Sequence, residues 1–552
     1  MAYAPILTES QLERVRVFTK PRQVGAGVVL YNPNDDTPPV YVVIEGKIRI
    51  VSLAGGVEDT VTTYDPGQFS GELLMIAGRR SIYRCQAVEA SCLLELSAQN
   101  LRALISKDAE LSDIFMKTFL ARRLSMSSHG RTNVLILGSR YSAQTLAVRE
   151  FLTRDGHPFA YVDLDTDSSA QELLDRFGVS SDDVPIVVCN GAQILRNPST
   201  REVAQALGFN SNIDESQVRD IVIVGAGPAG LAAAVYAASE GLDVLVIERA
   251  APGGQAGSSS RIENYLGFPT GLSGQELANS AIAQSEKFGA KIMVAHTVEG
   301  LNCNERPYRI SLDDGQQIAA RSIVLATGPA YNQPALPNID RFTGRGIYYN
   351  ATFMEGQLCS GDPVIVIGGG NSAGQAAVFL AQNTKGVLML VRSAGLTATM
   401  SRYLVRRIEE NPLIQVHFDS ELVSLSGDDH LEEVSWRDKA TGEVTTQAVR
   451  HIFVMTGASP KTEWLASCLS LDPRGFVLTG TDLDGVLPPR PWPLARRPYM
   501  LETSLPGVFA VGDARAGNVK RVAAAVGEGS IVVHMVHQVL VFRSADPCTK
   551  SL

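Results

Sequence analysis

The chain has 552 residues, of which 45% are hydrophobic, 19% charged and 7% aromatic, the balance of a globular protein rather than a disordered or fibrous one. At roughly 150 residues per domain, this length predicts three or four folded units. A formal charge of -9 excludes nucleic acid as the main partner, because a phosphate backbone selects a basic face. Seven cysteines are too few for a disulfide framework, and none forms C-x-x-C, which excludes a zinc ribbon and a dithiol motif within the chain. The start, MAYAPILTES, lacks a basic segment followed by an apolar core, so no secretory signal and a cytoplasmic location are expected.

Residues 1–125 alternate apolar and polar positions between Gly and Pro, as in PPVYVVIEGKIRIVSL and EASCLLELSA, and predict a small β-roll. LRALISKDAELSDIFMKTFLARRL has helical spacing and would close that unit, and SMSSHGRT (125–132) reads as a polar linker. From Val134 the chain reads VLILGS (strand), AQTLAVREFLTRDG (helix), FAYVDLD (strand), SSAQELLDRFGV (helix), then VPIVVCN with AQILRN (hairpin) and EVAQALGF (helix). A second polar linker, SNIDESQVRD (211–220), precedes alternating strands and helices of doubly wound α/β type up to about 545. The uncharged run Ile221–Ser239 is 19 residues long, enough for a membrane span, but its GAGPAG breaks it into strand, turn and helix. No membrane partner is expected.

IVIVGAGPAG sets Gly225, Gly227 and Gly230 in G-x-G-x-x-G between an apolar strand and a small-residue helix. The first glycine allows the tight turn, the second lets backbone approach a pyrophosphate, and the third permits close helix–strand contact. The next strand, LDVLVIER, ends in Glu248, an acceptor for a ribose 2′-hydroxyl. VIVIGGGNSA repeats the theme with Gly368, Gly370, Asn371, Ser372 and Ala373, about 145 residues on. Its partner strand ends in Val391-Arg392, and an Arg there accommodates a 2′-phosphate, favouring NADPH while leaving NADH open.

Further segments are Pro252 to Gln255 (PGGQ), RIENYLGFP with Asn264, Ala326-Thr327-Gly328, Gly512-Asp513 and Arg521-Val522-Ala523. With these, residues 220–545 resemble the low-molecular-weight thioredoxin reductases. The resemblance implies FAD bound through the first glycine turn with Pro228, Glu248, Gly254, Gln255, Asn264 and the Ala326, Gly512 and Arg521 segments. It also implies an FAD domain (220–337 and 460–545) split by an NAD(P)H domain (338–459), usually in a homodimer. Where that family carries Cys-Ala-Thr-Cys, this chain reads Asn350-Ala351-Thr352-Phe353, after Gly344-Arg345-Gly346. Dithiol exchange needs a thiolate, which neither an amide nor a phenyl ring supplies. Cys359, alone nearby, reads as packing.

Residues 131–210 resemble a thioredoxin or glutaredoxin fold, with Val184-Pro185 at the place of that family's cis-proline and serines 139 and 142 in the two thiol positions. Residues 1–125 resemble a cyclic nucleotide-binding domain through Phe69, Gly71, Glu72, Leu73, Arg80 and Ser81, departing from it at Ser70 and Ile82. The resemblance implies cAMP or cGMP as effector, with Glu72 accepting the ribose hydroxyl and an arginine holding the cyclic phosphate. The expected whole is a multidomain FAD-dependent NAD(P)H oxidoreductase without its own redox disulfide, delivering electrons to an unidentified acceptor or partner protein. Two alternatives stand beside it: a cyclic-nucleotide-responsive scaffold with structural flavin, and a disulfide reductase that uses a partner's cysteines. His534 and His537 read as helix packing, and PPRPWPLARRP (488–498) as an extended surface loop.

Overall fold

The computed structural model describes residues 5–544, apart from 34, 53–57, 72, 77–79, 82, 129–133, 167–182, 190–192, 211–212, 215, 260, 488 and 490. The N-terminal strands form two antiparallel sheets. One is ordered Pro21–Val24, Ser91–Leu96, Val40–Glu45, and the other Val29–Tyr31, Arg84–Ala87, Ile48–Ser52, Asp59–Tyr64. Their alternation buries Val42, Ile48, Phe69 and Leu94 between them, the β-roll that the sequence predicts. The helix Ala109–Ser128 runs into the stretch expected to be linker, and its Arg122 donates to the carbonyls of Gly71 (2.7 Å) and Phe69 (2.9 Å).

Next comes a four-stranded sheet ordered Gln193–Arg196, Ile186–Cys189, Val134–Gly138, Ala160–Asp163, with Val134–Gly138 parallel to the last and antiparallel to Ile186–Cys189. The helix Ala143–Asp155 covers it, capped by Ser142 and ended by Gly156 in the left-handed conformation. The Val184-Pro185 peptide is cis. The helix expected over SSAQELLDRFGV lies outside the described residues.

The third unit has a seven-stranded sheet. Lys291–Met293, Val244–Ile247, Arg219–Val224, Gln317–Leu325 and Val508–Ala510 are parallel, and Tyr308–Leu312 and Val298–Asn302 extend it as an antiparallel meander. Alternate residues of the central strand face two different cores, Ile221 and Ile223 on the side of the helix Pro228–Ser239, Val222 and Val224 on the other. The first strand begins inside the expected second linker: Arg219 is fully buried, its guanidinium held by Gln217, Asp243 and the Asp214 carbonyl. A five-stranded parallel sheet follows, ordered Ile347–Tyr348, Ile452–Val454, Pro363–Ile367, Gly386–Leu390, Ile414–His417. Chain passes into and out of it through an antiparallel ribbon, Pro329–Tyr331 against Ala458–Pro460. Among the described residues one helix, Val522–Val541, is long and apolar enough to cross a membrane by composition; it packs along Pro228–Ser239.

Candidate functional site

The glycines of the first turn divide by what surrounds them. A Cβ on Gly225 (φ 104°) would meet the Ala326 carbonyl oxygen at 2.3 Å, and one on Gly230 would meet the Gly225 oxygen at 1.9 Å. One on Gly227 would meet only the Gly254 Cα, at 3.7 Å. Two positions are therefore closed by the protein's own backbone, while the middle one opens onto free space at the N-terminus of Pro228–Ser239, where Pro228 needs no amide partner. The Glu248 carboxylate accepts the Ala226 and Ala250 amides (2.8 and 3.0 Å), fixing the acidic residue beside the turn.

The later segments converge here. Gly253 N–H donates to the Ala226 carbonyl (2.8 Å), laying the PGGQ turn on the glycine turn. Gln255 donates to the Pro329 carbonyl (3.0 Å), and the Ala326 amide to Val224 (2.8 Å). Among the described residues the buried Thr327 hydroxyl finds no hydrogen-bond partner at this junction. Gly512 (φ 64°) lies against Ala229, and its amide is held by Glu528 (2.7 Å), itself paired with Arg515. Burial raises the carboxyl pKa of Asp513, partly countered by Lys520. Asn264 and Arg521 are exposed, Ala523 likewise, and Val522 opens the long C-terminal helix.

The second turn repeats the division. A Cβ on Gly368 (φ 141°) would strike the Met455 oxygen at 2.4 Å, whereas one on Gly370 meets nothing within 4 Å. Gly370 caps the helix Asn371–Leu380, in which Ala373 is buried and Asn371 and Ser372 are exposed. Asn371 accepts the Ser401 amide (2.8 Å). Arg392 is exposed, and among the described residues no carboxylate pairs with it. Arg407, a cation of the following helix, is turned instead to Glu263 (3.7 Å) on the first nucleotide unit.

Asn350 stands where the two units meet, its side-chain oxygen 3.3 Å from the Ser258 hydroxyl of the segment that follows PGGQ. Phe353 begins the helix Phe353–Leu358, capped by Thr352 and Glu355 in a reciprocal box. Glu355 is buried, and burial, reinforced by Glu150, pushes its carboxyl pKa up to about 7 against the two Thr352 hydrogen bonds. Cys359 and Cys189 are buried thiols; burial raises both, Cys189 to about 12.

Cys303 and Cys468 form a disulfide that the sequence does not announce, and join two segments 165 residues apart on the sheet face opposite the Pro228 helix. Low cysteine content excludes a framework of bridges but not a single one, and the partners are too distant in sequence to be matched by spacing.

In the N-terminal unit Gly71 (φ 101°) packs against Val40, and Ser81 is buried, its hydroxyl on the Tyr83 carbonyl (2.8 Å). Glu72 lies outside the described residues; Leu73 opens the short helix Leu73–Ile76, which packs on the helix Gly274–Lys287 of the third unit. Arg80 pairs with Asp36 (2.9 Å), and its stem lies over Gly208 of the middle unit.

Residues 219–529 match the family model for pyridine nucleotide-disulphide oxidoreductases, over half of the chain. The chain belongs to that family. Among this oxidoreductase's relatives, the thioredoxin reductase of Mycoplasmopsis pulmonis is 30% identical over 320 residues, covering 58% of this chain and 96% of the relative. That of Treponema pallidum is 33% identical over 315 residues, covering 57% and 95%. The crystal structure of Lactococcus lactis thioredoxin reductase superposes with a TM-score of 0.52 at 28% identity, over 59% of this chain and 99% of that one. A second model, the cyclic nucleotide-binding domain, matches residues 21–108. This oxidoreductase is therefore of the thioredoxin-reductase type and carries a cyclic nucleotide-binding domain at its N-terminal end.

Proposed function

We propose that the chain is a cytoplasmic FAD-dependent NAD(P)H oxidoreductase that lacks the dithiol of its relatives and is regulated through its N-terminal domain by a cyclic nucleotide. The observation that carries the reading is the pair of glycine turns, each closed by backbone at its first glycine and open at its second. The orphaned Thr327 hydroxyl, the acidic Glu248 and the junction of five separate segments fit an FAD, and Gly370 with the unpaired Arg392 fits NADPH. When bound, FAD supplies the capacity to take a hydride and release electrons to a second acceptor. The protein's part is to hold the PGGQ turn on the GAGPAG turn, keep the Asp513 segment in place through Glu528, and offer a helix N-terminus to phosphate.

In this reading the domains are 1–125, 131–210, 220–337 with 460–545, and 338–459, and the 131–210 unit is a thioredoxin-like module without thiols in the two redox positions. Asn350, where the family it resembles carries the first cysteine of its Cys-Ala-Thr-Cys, contacts Ser258 of the segment that follows PGGQ. The helix Leu73–Ile76 against Gly274–Lys287 supplies a route for regulation, since a ligand shifts an equilibrium only through contacts that differ between two states. Arg80 would exchange Asp36 for a cyclic phosphate; its salt bridge is partly exposed and so cheap to break. The test is stopped-flow reduction of the purified protein's flavin by NADPH and by NADH, with and without cAMP or cGMP, alongside a thioredoxin-reduction assay. Flavin bleaching without thioredoxin turnover, at a rate altered by a cyclic nucleotide, is expected. Sustained thioredoxin reduction would refute the loss of the dithiol.

A further inference from the structure

The middle unit reaches into the nucleotide site through one side chain. Arg154, in the last turn of Ala143–Asp155, donates its Nη2 to the carbonyls of both Ala251 (3.1 Å) and Gly254 (3.0 Å). Those carbonyls bracket the PGGQ turn, in which Gly253 (φ 107°) and Gly254 (φ 56°) are successive left-handed residues. The same turn is fastened on its inner side to the GAGPAG turn by Gly253 N–H to Ala226 O, and a Cβ on Gly254 would lie 2.8 Å from the Gly227 Cα. A guanidinium on one side and the first nucleotide turn on the other therefore fix a pair of glycines that have no side chains of their own to hold them.

Arg154 is itself held. Its side chain is 15% exposed, Glu150 lies one turn back with Oε1 3.6 Å from Nη1, and Gln275 donates to the Arg154 carbonyl (2.8 Å). Gln275 belongs to Gly274–Lys287, whose Ala278 methyl packs against Gly253 and whose first residue abuts the Ala256 carbonyl. The N-terminal half of Ala143–Asp155 is anchored separately. Ala143 sits against Gly344, and Leu146 packs with Tyr348 and Met354.

We infer that Arg154 is a positioning residue for the flavin turn, contributed by a unit outside the 219–529 stretch shared with the relatives. The inference rests on the FAD reading above. The middle unit thereby acquires a part in cofactor binding that needs no thiol. Through one cation it sets the shape of residues 251–254, and with it the fit of the flavin.

The experiment uses the full-length protein, stripped of flavin and titrated with FAD by fluorescence quenching, with the visible circular dichroism of the bound flavin as second readout. Arg154→Met should weaken FAD binding about ten-fold or more, the scale of losing hydrogen bonds from a charged donor, and change the flavin's dichroic bands. Arg154→Lys should restore most of the affinity, and the NADPH dissociation constant should stay at the wild-type value in both. Unchanged FAD affinity and dichroism in Arg154→Met would overturn the inference. If Arg154→Met does not fold, Gln275→Leu removes the hydrogen bond that anchors the Arg154 backbone and so loosens its guanidinium on the turn, with a weakening of about three-fold expected and an unchanged affinity overturning the inference. Failure of the wild-type protein to take up FAD would instead overturn the FAD reading.

Discussion

At the scale of single residues, the glycine turns separate fold from binding. Gly227 and Gly370 face open space, so an added methyl clashes with no protein atom, whereas at Gly230 it would be driven into the Gly225 carbonyl. Gly227→Ala should therefore melt within a few degrees of wild type while losing FAD affinity, and Gly370→Ala should likewise lose only NAD(P)H affinity. Gly230→Ala should lower the melting temperature itself. Differential scanning fluorimetry of the flavin-free proteins, paired with ligand titrations, distinguishes the three. The pattern was readable in the sequence, because a turn between a strand and a helix is a local event. Which atoms close the first glycine of each turn was not, since they belong to Ala326 and Met455, far along the chain.

Glu355 makes a residue-scale prediction about pH. Its folded pKa, about 7, lies above the ordinary 4.5, so the folded chain keeps a proton that the unfolded chain has released. Stability from this group is intact below about pH 4.5 and is lost as pH rises through 7, by roughly 3 kcal/mol at about 1.4 kcal/mol per pKa unit. Glu355→Gln keeps the capping geometry and removes that titration. Denaturant unfolding at pH 5 and pH 8 should show the variant gaining on wild type at the higher pH; a constant difference would contradict the burial argument.

At the scale of elements, the strands and helices of the nucleotide units and the β-roll follow from periodicity, but their ends do not, since Ala109–Ser128 and the strand from Arg219 both run into stretches that read as linker. Contacts between units do not follow from it. Arg154 on PGGQ, Arg80 over Gly208 and Leu73–Ile76 on Gly274–Lys287 each join segments that composition treats as independent. The loop of residues 488–498 reads as free surface, yet Arg496 pairs with fully buried Glu502 at 2.6 Å. A lone buried carboxylate is costly, so Arg496→Ala should destabilise the protein by about 3 kcal/mol, measured by chemical denaturation. The Cys303–Cys468 bridge is of the same kind. It closes a long loop, and its removal by Cys303→Ser with Cys468→Ser should cost about 3 kcal/mol or more under non-reducing conditions. Thiol titration in denaturant before and after reduction should differ by the two bridged sulfurs.

At the scale of the whole molecule, three units meet at the first nucleotide turn. The seven-stranded unit carries that turn, the middle one supplies Arg154, and the N-terminal one touches the helix that carries Gln275 and Ala278. The cyclic nucleotide-binding domain, the middle unit and the oxidoreductase are thereby joined at the segment that would cradle the flavin. The described disulfide lies on the far face of the sheet from this segment, in keeping with the proposal that the flavin passes its electrons on without a sulfur relay of the protein's own. Anaerobic titration of the oxidised protein with NADPH, followed through the flavin band, tests that claim most directly. Complete bleaching at a single equivalent per flavin is the expected result. A colourless protein, or a second equivalent consumed before the band is lost, would contradict it.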